Sequence, residues 1–440
     1  MNTLIYNGRI INPATDTDSI GYIIIEDEKI KALELSGIID DATLSKLRAD
    51  NAIDKVIDAT NLVVTPGLID LHVHFRDPGL TYKEDIESGS HAAAKGGFTT
   101  VVAMPNTKPV VDNVETYDYV VNKAKSVGLV NVIQVGSVTK GMEGKELSDI
   151  EGMASHGLIT LSEDGKSVMD SGLYRKAMKK AAKLNLSVLA HCEDINLVEG
   201  GVMNMGSKSD SLGLNGISNA VENVITARDI MLAEETGARL HLCHCSTKES
   251  MDMIRDGKAK GIKVSGEVCP HHFVLTEDDI PGDNAMYKMN PPLRSKADKE
   301  ALLEGIKDGT VEVISTDHAP HSMEEKMKSM KDAPFGIVGL ETSLALSYTY
   351  LVDAGLISLS TLVEKMSYNP ARILGIDKGN IETGKVADIM IFDDTSEYTI
   401  NPDTFVSKGK NTPFSGMKVK GRVAYTIMGG KVTYVKEDII

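Results

Sequence analysis

The stretch IDLHVHFRDPG, residues 69–79, sets His72 and His74 one residue apart, with Asp70 before them and Arg76 after. Side chains alternate along a strand, so the two histidines point the same way and Asp70 shares their face one layer deeper. More ligand-type residues stand at the ends of other apolar runs: Glu163-Asp164 after LITLS, His191 after LSVLA, His244 within RLHLCHC, and Asp317 after VEVIST. Alone, His-x-His is also what an ordinary half-buried strand can carry. Joined to Asp164, His191, His244 and Asp317 it reads as a metal cage, because neutral imidazole and carboxylate are ligands that zinc accepts. Four histidines and two carboxylates exceed what one tetrahedral ion needs. That set suits two ions roughly 3.5–4 Å apart with a bridging carboxylate, with a single ion as the alternative.

A cage of this kind needs a scaffold that brings distant strand ends together. Eight short strand-like runs supply one: LIDLHVH, FTTVVAM, NVIQVGS, LITLSED, LSVLAHC, RLHLCHC, IKVSGEV and VEVISTD. Amphipathic helical patterns such as SGLYRKAMKKAAKLN and ENVITARDIMLAEETG lie between most of them. Strand and helix alternating eight times predict an α/β fold, a (β/α)8 barrel, whose chemistry sits at the C-terminal ends of the strands. Five of the eight runs end in ligand types, which random scatter of 11 histidines would rarely produce. A doubly wound sheet is the competitor, but HVHFRDPG is not a glycine-rich phosphate turn. Residues 1–64 and 380–440 hold short alternating runs, including VAYTIMGGKVTYV with its Gly-Gly turn. They are expected to form one small β-rich side domain around a barrel spanning 65–379. In LHLCHC, an axis-facing His244 would turn Cys243 and Cys245 toward the outer helices, leaving His241 with them in a structural role.

Bulk properties narrow the function. The 440 residues are 42% hydrophobic and 25% charged, with a net charge of −16. Nucleic-acid binding and attachment to an anionic membrane both want a basic face and are disfavoured. An anionic small substrate is not, since a local pocket can be positive. The opening MNTLIYNGRIINPATD lacks a basic segment followed by an apolar run, so no signal peptide is expected. No apolar run is long enough to span a bilayer. The cysteines Cys192, Cys243, Cys245 and Cys269 show no paired CxxC spacing and are expected as buried free thiols of a cytoplasmic protein.

Taken together, DLHVHFRDPG, AMPNT, AHCED, CHCST, MNPPLR and STDHAPH resemble dihydroorotases, cyclic amidohydrolases of the metal-dependent amidohydrolase superfamily. The likeness runs from about residue 58 to 430 and is nearest in pattern to the bacterial long-chain, type I form. It implies that His72, His74 and Asp317 hold the more buried zinc, that His191 and His244 hold a second, and that Asp164 bridges them, with Glu163 the competing bridge. Hydantoinases and allantoinases place a carboxylated lysine at the end of the fourth strand. ITLSEDG has none there, and Lys166 lies beyond the glycine. The resemblance further implies that Arg76, Asn106 and His321 clamp a substrate carboxylate and that Asn290 meets the pyrimidine ring. His271 and His272 read as structural, and His91 and His156 as chemically idle.

The implied reaction is reversible closure of N-carbamoyl-L-aspartate to L-dihydroorotate in pyrimidine synthesis, with Asp317 shuttling the proton. Rival readings are a hydantoinase, allantoinase or dihydropyrimidinase, and a non-catalytic barrel supporting a partner enzyme. A homodimer and association with aspartate carbamoyltransferase are expectations by family analogy. Residues 318–336, after the eighth strand, are expected to order over bound substrate as a lid.

Overall fold

The computed structural model describes residues 1–436. All eight expected runs are strands: Leu68–Val73, Phe98–Ala103, Asn131–Gln134 continuing at Gly136–Ser137, Thr160–Ser162, Ser187–Ala190, Arg239–Leu242, Val264–Val268 and Val313–Ile314. Each pairs in parallel with the next. The ring closes where His318 bridges Val73 in parallel and the His74 N–H donates to the His318 carbonyl at 2.9 Å. The (β/α)8 barrel is therefore present.

The helices form where the sequence supplies caps and an apolar stripe. Asp85, Asn113, Asp170, Thr247 and Ser295 each accept an N–H from the first turn of the helix they open, satisfying donors that have no partner inside the helix. Helix Ser171–Lys183 buries Tyr174, Ala177, Met178 and Ala181, the i, i+3, i+4, i+7 spacing of one face. The positions between them carry lysines to solvent.

Inside the barrel, Ile69, Leu71, Val102, Leu189, Cys243 and Val313 pack with Ala371 and Leu374. Side chains from five different barrel strands can meet only in the lumen, so this cluster is the plug beneath the site. It corrects one expectation. Cys192 and Cys245 face the helices, but Cys243 points inward and has its sulfur within 4.8 Å of ligand atoms of His72 and Glu267. His241 also points inward. Regular alternation fails because the sixth strand ends at Leu242 and His244 adopts φ +34°. All four thiols are free and buried.

The side domain is one sheet sewn from both ends of the chain. Val63–Pro66 pairs in parallel with Asn2–Asn12 and antiparallel with Ile389–Asp393, which continues to Arg422–Met428 and Lys431–Val435. Ile5, Ile10, Ile23, Ile25, Val64, Ile389, Ile391 and Ile427 form its core. The last hairpin turns at Gly429 and Gly430, both with positive φ, as a two-residue turn matched to strand twist requires. A Cβ at Gly430 would sit 1.9 Å from the Asp27 carbonyl oxygen.

Residues 400–417 differ from the expectation that all of 380–440 joins this sheet. They leave it and pack on the catalytic end of the barrel. There the Asn411 amide donates to the Ala319 and Gly336 carbonyls at 3.1 and 3.0 Å, and the Ser407 hydroxyl donates to Glu84. Among the described residues no helix is long and apolar enough to cross a membrane.

Candidate metal centre and active site

The six expected metal ligands converge at the mouth of the barrel. Nε2 of His72 stands 3.1 Å from Oδ1 of Asp164 and 3.6 Å from Oδ1 of Asp317. Nε2 of His74 stands 3.3 Å from Oδ2 of Asp164 and 3.1 Å from Oδ1 of Asp317. Oδ1 of Asp164 is also 3.4 Å from Nδ1 of His191 and 3.5 Å from Nε2 of His244. Asp164 thus reaches all four histidines, the position a bridging carboxylate would occupy. Glu163 turns away and accepts the Val138 and Thr139 N–H groups at 3.0 Å each, along with the Thr139 hydroxyl.

The surrounding hydrogen bonds decide which nitrogen of His72, His74 and His191 carries a proton. Nδ1 of His72 donates to Glu267 at 3.1 Å, Nδ1 of His74 donates to the Asn106 carbonyl oxygen at 2.9 Å, and Nε2 of His191 donates to Glu193 at 3.2 Å. The opposite nitrogens keep lone pairs, and these face the carboxylates of Asp164 and Asp317 or, for His191, Nε2 of His244 at 2.9 Å. Nε2 of His72 and Oδ1 of Asp164 face each other, buried without a hydrogen-bond partner. Lone pairs aimed at lone pairs in a buried pocket call for a cation, and this donor set fits a metal. The protonation balance agrees. Burial pushes the Asp164 and Asp317 carboxyls up, but the neighbouring histidines outweigh it and hold both well below the usual range. Burial pulls His191 down, but Asp164 and Glu193 lift it to about 10. The pocket is short of positive charge.

A layer beneath holds the ligands in place. Oε1 of Glu267 takes the His72 bond. Its Oε2 accepts Nε2 of His241 at 3.1 Å and the Ser315 hydroxyl at 2.5 Å. Asp70 accepts the His72 N–H at 3.1 Å, with the Thr316 N–H at 3.1 Å and hydroxyl at 2.5 Å. Burial pushes Asp70 up to about 7 against these bonds. Three site residues hold positive φ: Arg76 (+60°), His244 (+34°) and Asp317 (+47°). Such geometry costs roughly 1–3 kcal/mol per residue and persists where the surroundings over-determine it.

Above the ligands lies a cavity of about 190 Å³, lined among others by His74, Arg76, Asn106, Asn290, Asp317 and His321. It therefore brings together every expected substrate contact, with His72 buried beneath. Arg76 is half-buried, its Nε donates to the Pro320 carbonyl at 3.3 Å, its Nη2 lies 3.4 Å from Nε2 of His321, and among the described residues it forms no ion pair. Burial with the Arg76 and Lys83 charges depresses His321 to about 2. Its neutral ring donates from Nε2 to the Phe335 carbonyl at 2.8 Å and accepts Lys83 at Nδ1 at 3.1 Å. Asn106 has its carbonyl oxygen on His74 and one amide hydrogen on the Asp164 carbonyl at 3.3 Å, leaving one amide hydrogen for the cavity.

Residues 318–336 form one wall, anchored by buried Lys326 donating to the carbonyls of Lys288, Pro334 and Gly336. His271 and His272 are buried beside Cys269, where each could offer a ligand atom to an ion. His156 makes an exposed pair with Asp118. Sequence reasoning missed Glu193, Glu267 and Lys83. An acid inside the apolar run IKVSGEV was a usable signal for Glu267; Glu193 and Lys83 carried none.

Residues 61–250 match the family model described as dihydro-orotase-like, and residues 300–434 match that of the amidohydrolase family. The chain is similar to the dihydroorotase of Ruminiclostridium cellulolyticum, 48% identical over 440 residues and all of both chains. It is likewise 48% identical to that of Geobacter metallireducens, over 99% of this chain and 100% of the other. Among solved structures it is similar to the L-hydantoinase (dihydropyrimidinase) of Arthrobacter aurescens: 26% identity, 99% of this chain and 96% of that one, TM-score 0.85. The D-hydantoinase (dihydropyrimidinase) of Thermus sp. gives 28% identity, 98% and 94% coverage, and a TM-score of 0.80.

Proposed function

The chain belongs to the dihydroorotase family of cyclic amidohydrolases, and from that premise we propose how its residues divide the work. The substrate pair is N-carbamoyl-L-aspartate and L-dihydroorotate. His72, His74 and Asp317 would hold one zinc and His191 and His244 a second, with Asp164 placed between the two sets. When bound, metal here acidifies water and polarises the ring carbonyl.

The side chains do the rest. Water adds to the ring amide carbonyl, and Asp317 takes its proton on a carboxylate oxygen. The same carboxyl then hands that proton to the departing ring nitrogen; one group serves as base and then acid because the steps are sequential. Asp317 suits this task because it lines the cavity as well as facing the histidines. Ring closure runs the same path backwards. Arg76 receives the substrate carboxylate on its planar fork, with the free amide hydrogen of Asn106 beside it; Nε2 of His321 joins them only by leaving the Phe335 carbonyl to which it donates.

The observation that carries this reading is Arg76: a half-buried guanidinium at the cavity, partly stripped of water and with no ion-pair partner among the described residues, is suited to a ligand that brings a carboxylate. Hydantoin, allantoin and dihydrouracil have no carboxylate to meet it. The test offers zinc-loaded protein L-dihydroorotate, hydantoin, allantoin and dihydrouracil, with bound metal measured alongside. Turnover of dihydroorotate is expected. Turnover of hydantoin without dihydroorotate would overturn the reading. Four free thiols among the described residues also support a cytoplasmic location.

A further inference from the structure

Two residues beyond His191, Glu193 contacts two residues that line the cavity, His191 and Asn290, with its side chain 12% exposed. Its two oxygens serve different partners. Oε2 takes Nε2 of His191 at 3.2 Å, and Oε1 takes the side-chain nitrogen of Asn290 at 2.9 Å. The Glu193 backbone is held as well: its N–H donates to the Ser167 hydroxyl at 3.1 Å, which itself donates to the His191 carbonyl at 2.7 Å.

A carboxylate only accepts hydrogen bonds. Both partners must therefore present a hydrogen to it. For His191 this puts the proton on Nε2 and leaves the lone pair on Nδ1, the atom that faces Asp164 and His244. For Asn290 it settles the amide orientation: nitrogen toward Glu193, and carbonyl oxygen turned the other way. Asn290 lines the cavity, so the group it offers there is an acceptor, suited to an N–H of a cyclic amide or its ureido precursor.

We propose that Glu193 is a positioning residue that couples the metal ligand His191 to recognition of a substrate N–H by Asn290. The proposal rests on the reading of the cavity as a cyclic-amide site. Glu193→Gln separates the two tasks, because an amide has one acceptor atom where the carboxylate has two. If its oxygen stays on His191, its nitrogen faces Asn290, whose amide must flip and present a donor to the substrate. If its oxygen stays on Asn290, its nitrogen faces His191 and drives the wrong tautomer.

The experiment is a cycle of Glu193→Gln, Asn290→Ala and the double variant. It reads KM and kcat for dihydroorotate and metal retention against a colorimetric chelator. KM is expected to rise about tenfold in Glu193→Gln, the worth of one hydrogen bond, and the double variant should be no worse than Asn290→Ala alone. Metal retention should weaken modestly in both variants that carry Glu193→Gln, because even an amide oxygen left on His191 replaces a charged hydrogen bond with a neutral one, and not in Asn290→Ala. Additive KM losses would overturn the coupling to Asn290, and wild-type KM and metal retention in folded Glu193→Gln would overturn the whole proposal. A wild-type enzyme that turned over another ring instead would refute the substrate assignment, and the cycle would then be run on that ring.

Discussion

Glu267 is where a small chemical change should act on the metal without touching it. The carboxylate is buried and accepts four donors: Nδ1 of His72 at 3.1 Å, Nε2 of His241 at 3.1 Å, the Ser315 hydroxyl at 2.5 Å and the His244 N–H at 3.3 Å. Burial pushes its pKa up, but the bonds and charges of His241 and His72 hold it well below the usual range, so the wild-type group is ionised. Glu267→Gln keeps the shape, removes the charge and turns one oxygen into a donor. The cheaper arrangement puts the new nitrogen beside His241 and Ser315. There His241 can reverse its tautomer, because its Nδ1 partner is the Ser265 hydroxyl at 2.8 Å, which both donates and accepts. Putting it beside His72 would move that proton to Nε2 and remove the lone pair meant for metal. Even in the cheaper case the His72 bond changes from charged to neutral. The difference is roughly 1–2 kcal/mol, since bonds to charged groups are worth about 1.5–3 and neutral ones about 0.5–1.5. Loss of such a partner typically weakens metal binding about 10–100-fold. The assay is equilibrium competition with a colorimetric chelator, with circular dichroism to establish folding. Wild-type metal affinity in folded Glu267→Gln would refute the reasoning.

Arg76→Met should lower kcat/KM for dihydroorotate by about 100-fold or more through the lost carboxylate fork, measured by steady-state kinetics. Any trace activity on dihydrouracil should not fall in parallel. Asp317→Asn should keep substantial metal, as measured by metal analysis, because four histidines and Asp164 remain, yet lose nearly all turnover; near-normal kcat would refute its proton-transfer role. His272 carries a pH signature. Burial lowers its pKa to about 4, below the ordinary 6.5. The unfolded chain therefore binds a proton between pH 6.5 and 4 that the folded chain refuses. Its contribution is fully present above pH 6.5 and is lost as pH falls through about 4, up to roughly 3 kcal/mol. Urea midpoints of His272→Asn should fall less between pH 6.5 and 4.5 than those of the wild type; equal slopes would contradict this.

Much of the site was legible in the residues themselves because its signals are local. Strand alternation and the placement of ligand types after apolar runs picked out His72, His74, Asp164, His191, His244 and Asp317. The eight strand–helix units identified the barrel that gathers them. Orientation was another matter. Alternation predicted Cys243 outward, but the turn at His244 breaks the period and sends Cys243 into the lumen. Residues 400–417 look like more side-domain chain, yet Asn411 ties them to the wall of the cavity.

The amino-acid sequence by itself determined which chemical groups this protein owns and on which strands they end, because periodicity acts over a few residues. Only the tertiary structure decided which nitrogen of His72, His74 and His191 keeps its lone pair toward the Asp164 and Asp317 carboxylates and which end of Asn106 and Asn290 faces the cavity. Those choices rest on Glu267, Asn106 and Glu193 meeting partners up to 195 residues away, and a hydrogen bond fixes a proton only where folding has placed both atoms within reach.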